Sequence, residues 1–309
     1  MSVHVRTIFK RTPELIHACV RPRRSMLYLP GSNARALEKA ATLPADSLII
    51  DLEDAVTPSA KVDARNSVAE AVRARKYGKR EVAVRINPLN SQWGEDDIKY
   101  IAAAGPDAII LPKVEYPDQI CAMEDMIKFY DASQSIAIGA VIETPIGVIN
   151  VNQISNATSR LCMLILGTSD LTNDLRARHV PSRSPLVTSF GLCLLAGRAH
   201  GLAVIDGVHL DLSDDIGFHY ACEQGRDMGF DGKTLIHPKT IATANEVFGL
   251  DSSVVVHAQR IIKAFETAER EGKGVATVDG KLIENLHAEE AHRQIAFHRM
   301  VCELEKGIR

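Results

Sequence analysis

From Ser25 onward the chain repeats one pattern: a short apolar run rich in Ile, Val and Leu, a polar or glycine-bearing turn, then a helical stretch. The runs are Ser25–Gly31, Asp46–Asp54, Glu81–Asn87, Ala108–Val114, Ser135–Thr144, Met163–Asp170, Leu202–Asp211 and Lys233–Pro238. They are nearly continuous in apolar residues and do not alternate, as parallel strands covered on both faces require. Between them lie amphipathic stretches such as Lys61–Arg75 and Phe190–His200. Alternation of strand and helix predicts a parallel α/β fold. Eight units in about 215 residues fit a (β/α)₈ TIM-like barrel. A doubly wound open sheet is the main alternative, but no GxGxxG follows the first run.

Beyond the eighth run the pattern changes. Ser252–Glu271 is helical, Gly272, Gly274 and Gly280 punctuate Val275–Val278 as a hairpin, and Ala288–Lys306 is helical again. This helical and hairpin extension is too small for an independent core. It is expected to pack on the barrel or to contact a neighbouring subunit. The expected organisation is therefore a tail over residues 1–24, a barrel over 25–248 and an extension over 249–309.

Composition narrows the function classes. A hydrophobic content of 46% supports a sizeable core, and the net charge of −3 leaves no basic face in the body of the chain, so nucleic acid is not an expected partner. No apolar run approaches the ~18 residues of a membrane span, and no membrane partner is expected. The six cysteines (Cys19, Cys121, Cys162, Cys193, Cys222 and Cys302) contain no CxxC pair and read as reduced thiols. The first 24 residues carry Arg6, Lys10, Arg11, Arg21, Arg23 and Arg24 against Glu14 alone. Such a basic start suits a transit peptide, and hence a mitochondrial location, or else a basic tail on a cytoplasmic protein.

Charged and polar residues gather where the runs end: Asp51, Glu53 and Asp54, then Arg85 and Asn87, Lys113, Glu143, Asp170, Asp206 and His237. In a (β/α)₈ barrel these ends form the active-site face. Glu143 and Asp170, on adjacent strands, present two carboxylates with no His or Cys close by. That suits Mg²⁺, a hard cation that keeps waters, better than Zn²⁺. The alternative is that each carboxylate only caps the next helix. Arg85 can hold a carboxylate or developing enolate, or pair with Glu53 or Asp54. Lys113 is either a site cation or a structural partner of the acids. Arg35 and Lys39, four apart behind Gly31-Ser32-Asn33, share a helix face that can receive phosphate. There is no GxSxG elbow, no Walker loop and no metal-spaced pair among the eleven histidines.

Several motifs, in order, resemble the citrate lyase β-subunit-like branch of the HpcH/HpaI aldolase superfamily. They are Tyr28-Leu29-Pro30-Gly31-Ser32, Asp51-Leu52-Glu53-Asp54-Ala55-Val56, Arg85-Ile86-Asn87, Leu111-Pro112-Lys113-Val114, Ile142-Glu143-Thr144, Gly229-Phe230-Asp231-Gly232-Lys233 and Ile236-His237-Pro238. The resemblance implies a TIM-like barrel, a homotrimer or higher homo-oligomer, and a CoA thioester of a hydroxy-dicarboxylic acid as substrate. It implies Mg²⁺ on Glu143 and Asp170, and substrate contact by Arg85, Ile205 and Asp206. It also implies CoA contact by Tyr28, Arg35 and Lys39. In lyases of this branch an aspartate lent by a neighbouring subunit acts as acid and base; here the matching position is Glu284. The expected reaction is cleavage of malyl-CoA or citramalyl-CoA to acetyl-CoA and a 2-oxo acid. Hydrolysis of malyl-CoA at the same site is the alternative, because the thioesterase branch also resembles Glu284-Asn285-Leu286-His287.

Overall fold

The computed structural model describes residues 15–16, 19–130 and 135–307. Eight parallel strands close a barrel in sequence order: β1 (Ser25–Pro30), β2 (Ser47–Asp51), β3 (Glu81–Arg85), β4 (Ala108–Leu111), β5 (Ala137–Ile142), β6 (Leu161–Leu166), β7 (Ala203–Asp206) and β8 (Gly232–Leu235). β8 pairs back onto β1 through Ser25 and Lys233. The helices are α1 (Ala34–Ala40), α2 (Lys61–Arg73), α3 (Gly94–Ala102), α4 (Pro117–Tyr130), α5 (Pro145–Ile149), α6 (Val151–Ser155), α7 (Thr168–Asp174), α8 (Val187–Ala199), α9 (Asp215–Met228) and α10 (Ile241–Val247). Every apolar run thus became a strand, and most are shorter than the run. The reason is local: polar residues at the run ends leave the ladder to turn the chain. Asp51, for example, accepts the N–H groups of Glu53 and Ala55 at 2.9 and 3.0 Å. One placement needs correcting. Asp170 is not on a strand end but in the first turn of α7.

Each strand carries two apolar faces. Met26, Ile49, Ala83, Ile110, Val141, Met163, Ile165 and Ile205 fill the barrel interior. Leu27, Leu48, Ile50, Val84, Ile109, Ile142, Leu164 and Val204 face the helices instead. Because side chains alternate along a strand, the next inward positions above the apolar interior are Tyr28, Asp51, Arg85 and Glu143.

The floor of the barrel is also ionic. Arg23 forks onto Glu81 at 2.7 and 2.6 Å, and Ser47 Oγ donates to the same carboxylate at 2.6 Å. Arg24 holds Asp46 at 2.9 Å and Arg21 holds Asp107 at 2.9 Å. These three arginines therefore belong to the fold and not to a basic tail. The other basic residues of that segment, Arg6, Lys10 and Arg11, lie outside the described residues.

Contacts separate Gly249–Gly307 from the unit that ends at Phe248. Taken by itself, this second unit is a helix α11 (Ser252–Arg270), a hairpin of β9 (Ala276–Val278) and β10 (Lys281–Ile283), and a helix α12 (Asn285–Lys306). It buries Val255, Ala258, Ala291 and Ile295 in one cluster and Phe265, Val278, Ile283 and Ala288 in another, more core than its length suggested. Asp279 and Gly280 both take positive φ (50° and 74°), the two-residue turn that matches strand twist. Among the described residues no helix is long and apolar enough to cross a membrane.

Candidate active site

The C-terminal mouth of the barrel holds a compact ionic cluster built from four adjacent strands. Arg85 is 9% exposed and grips Asp51 with Nε and Nη2, both at 2.7 Å. Its Nη1 lies 2.8 Å from Glu53 Oε2, and its guanidinium stacks over the Tyr28 ring at 4.9 Å. Nε and one Nη2 N–H are hydrogen-bonded to Asp51, while the Nη1 contact with Glu53 is an ion pair without hydrogen-bond geometry, so N–H donors remain on both Nη atoms for an incoming anion. Lys113 Nζ donates to Glu53 Oε1 at 3.0 Å, and the Lys113 N–H donates to Glu143 Oε1 at 2.7 Å. Lys61, buried on α2, donates to the carbonyls of Leu52 and Glu53 at 2.9 Å and stiffens the turn after β2.

Glu143 is 2% exposed. Burial, then the charge of Glu53, pushes its carboxyl up to about 8; the Lys113 N–H and Arg85 oppose the rise, and Asp170 adds to it. Among the described residues no donor reaches its second oxygen, Oε2. A Cβ at Gly167 would sit 2.5 Å from that oxygen, so glycine leaves the space open. No group of three or more His, Cys, Asp or Glu among the described residues is arranged to hold a metal. A pair of carboxylates with free oxygens fits Mg²⁺, which keeps several waters and takes one or two protein carboxylates. It does not fit a zinc centre.

The remaining sequence-derived residues divide. Arg35 and Lys39 are exposed on α1 with no ion pair among the described residues. Ile205 is fully buried in the interior layer. Asp206 faces the other way. Its carboxylate meets Arg183 Nη1 and Lys233 Nζ at 2.7 Å, and a Cβ at Gly225 on α9 would lie 3.1 Å from it. It belongs to the wall between barrel and helix and does not join the mouth cluster. Arg183, which also donates to Gln224 Oε1 at 2.7 Å, is a partner that no motif marks, since it lies in a loop before α8 and meets Asp206 only in the closed fold. Replacing Asp206 with Asn should strand Lys233 and Arg183 and destabilise the fold by about 3 kcal/mol. Calorimetry against an unchanged KM checks this; a raised KM with intact stability would place Asp206 at the substrate instead. Glu284 is exposed at the N-terminus of α12, its N–H donating to His287 Nδ1 at 3.0 Å.

The family model for HpcH/HpaI aldolase/citrate lyase matches residues 24–238, the whole barrel with its charged strand ends. The chain belongs to this family. It is an enzyme, and its relatives bound the chemistry. A (3S)-malyl-CoA thioesterase of Cereibacter sphaeroides (strain ATCC 17025 / ATH 2.4.3) is 46% identical over 275 residues, covering 89% of this chain and 94% of that protein. The citrate lyase subunit beta of Leuconostoc mesenteroides subsp. cremoris is 35% identical over 269 residues, covering 85% and 89%. Among solved structures, a citrate lyase beta subunit from M. tuberculosis complexed with oxaloacetate and magnesium is 25% identical, with a TM-score of 0.64 over 75% of this chain and 99% of that one. These family members support the hydrolytic alternative better than the carbon–carbon cleavage that the motifs led us to expect.

Proposed function

We propose that this enzyme hydrolyses the thioester of malyl-CoA or a close hydroxy-dicarboxylyl-CoA, with Mg²⁺ held by Glu143 and Asp170. The observation that carries this reading is the 46% identity to a (3S)-malyl-CoA thioesterase across 89% of the chain, against 35% for the citrate lyase subunit. The magnesium in the solved relative supports the choice of metal.

The geometry at the barrel mouth supports the roles of Arg85 and Tyr28, and those of Arg35, Lys39 and Glu284 complete the proposal. Arg85, held by Asp51 and Glu53, presents its remaining Nη N–H donors to the acid group of the acyl chain. Tyr28 supports the guanidinium from its face. Arg35 and Lys39, exposed and uncommitted, take the CoA phosphates. Bound Mg²⁺ supplies Lewis-acid polarisation of a substrate oxygen. Glu284 of a neighbouring copy, in a homotrimer, takes a proton from the attacking water. Water oxygen bonds to the thioester carbon, the carbon–sulfur bond breaks, and the proton ends on the CoA thiol.

Product analysis on malyl-CoA tests this. The expected products are free CoA thiol and malate, with no 2-oxo acid. Acetyl-CoA and glyoxylate in equal amounts would instead establish the lyase.

A pH dependence follows from Glu143. The folded carboxyl titrates at about 8 and the unfolded one near its ordinary 4.5, so between these values the metal-free fold holds a proton that the unfolded chain has released. Stability of the metal-free protein therefore falls as pH rises through that window. Metal competes with the same proton. Its affinity should rise about tenfold per pH unit below pH 8 and level off above it. Calorimetric titration with Mg²⁺ between pH 6 and 9 checks the slope; a flat profile would remove Glu143 from the metal.

A further inference from the structure

We propose that Lys113 is a positioning residue that keeps Arg85 available to an anion by taking up the charge of Glu53; the inference rests on the function proposed above. The local backbone is built for it. Between Leu111, which pairs with Ala140, and Val114, whose N–H reaches the Val141 carbonyl at 3.2 Å, the β4–β5 ladder is interrupted. Pro112 has no N–H to give. Lys113 turns its N–H onto Glu143 Oε1 instead, at φ +52°. Residues with a side chain seldom adopt that left-handed conformation, and it persists where surrounding bonds over-determine it. Here Gln119 does so: its Nε2 donates to the Lys113 carbonyl at 3.3 Å, and its Oε1 accepts the N–H groups of Glu115 and Tyr116 at 2.7 and 2.9 Å. The turned backbone sends the side chain to Glu53 Oε1 at 3.0 Å, while the other Glu53 oxygen faces Arg85 at 2.8 Å.

Charge then decides the consequence. Asp51, Glu53, Glu143 and Asp170 face Arg85, Lys61 and Lys113, with Asp54 more exposed at the rim. Lys61 is spent on backbone carbonyls. Lys113 is thus the cation that shares Glu53 with Arg85. Without it, Glu53 draws on Arg85 alone and adds an uncompensated negative charge beside the substrate. A cation gains from that change and a carboxylate loses, so the two affinities move in opposite directions. General damage to the mouth would weaken both.

The test uses Lys113→Met, Lys113→Gly and Lys113→Arg in the full chain, with Mn²⁺ and malate as probes by calorimetric titration. Glycine accepts the left-handed backbone and so keeps the turn. The methionine and glycine variants should bind Mn²⁺ as well as the unaltered enzyme or up to about threefold tighter, and malate about tenfold more weakly. Lys113→Arg, which can reach Glu53, should bind malate within about threefold of the unaltered enzyme. Unchanged malate binding in both the methionine and glycine variants overturns the proposal. So does a parallel loss of Mn²⁺ and malate binding in both. If the unaltered enzyme binds both probes yet releases no thiol from malyl-CoA, the hydrolytic reading fails and the Lys113 comparison still stands.

Discussion

Glu143→Gln should lower Mg²⁺-dependent turnover at least ~10³-fold, equivalent to about 4 kcal/mol, without unfolding the barrel. The amide reproduces the shape of the protonated carboxyl, which is the form that burial favours near neutral pH. It still offers an oxygen to the Lys113 N–H, now 2.7 Å from Oε1. What it lacks is the negative charge a hard cation requires. The thermal midpoint of the metal-free variant should equal or exceed that of the unaltered protein, because no buried carboxyl has to ionise. Added Mg²⁺ should raise the midpoint of the unaltered protein, by about 2.7 kcal/mol of stability at a hundredfold excess over Kd, and leave the variant where it was. Scanning calorimetry with and without Mg²⁺ reads both effects. A variant that still turns over, or is still stabilised by Mg²⁺, would remove Glu143 from the metal.

Arg85→Met should damage both stability and turnover. One guanidinium pairs with both Asp51 and Glu53, which are 1% and 4% exposed, and only Glu53 has a second cation, Lys113. Removing one partner of a buried pair typically costs 3–5 kcal/mol, and for a domain of this size each kcal/mol lowers the melting temperature by about 2–4 °C. Turnover should fall at least about 10²-fold, since the charge that receives the acid group has gone. Arg85→Lys separates the two effects. An ammonium cannot reproduce the two parallel bonds to Asp51, yet it keeps one positive charge in place. It should recover most of the melting temperature and little of the turnover, with KM raised more than kcat is lowered. If Arg85→Lys were as active as the unaltered enzyme, the guanidinium would be a structural counter-ion and no more.

Much of this was legible along the chain. Near-continuous apolar runs located eight strands because a parallel barrel buries both faces of every strand. The same property hid the inside from the outside. Where both faces are apolar, nothing in the run says which parity points into the barrel. Asp206 and Glu143 look alike at the ends of their runs, and only the closed barrel separates them. Glu143 follows the inward parity of Val141, while Asp206 follows the outward parity of Val204, towards α9. Likewise Arg23 and Arg24 read as a basic leader until the barrel floor supplies Glu81 and Asp46, which lie far along the chain.

The sequence by itself determined the strand–helix repeat, the acidic and basic strand ends and the motifs that mark the family. Those are local facts of residue type and spacing. The tertiary structure decided which charges meet: that Arg85 is clamped by Asp51 and Glu53, that Lys113 reaches both Glu53 and Glu143, and that Asp206 is sealed against Arg183 and Lys233. Such pairings depend on barrel closure and strand parity, because Coulomb energy in a buried site is set by separations of a few ångströms.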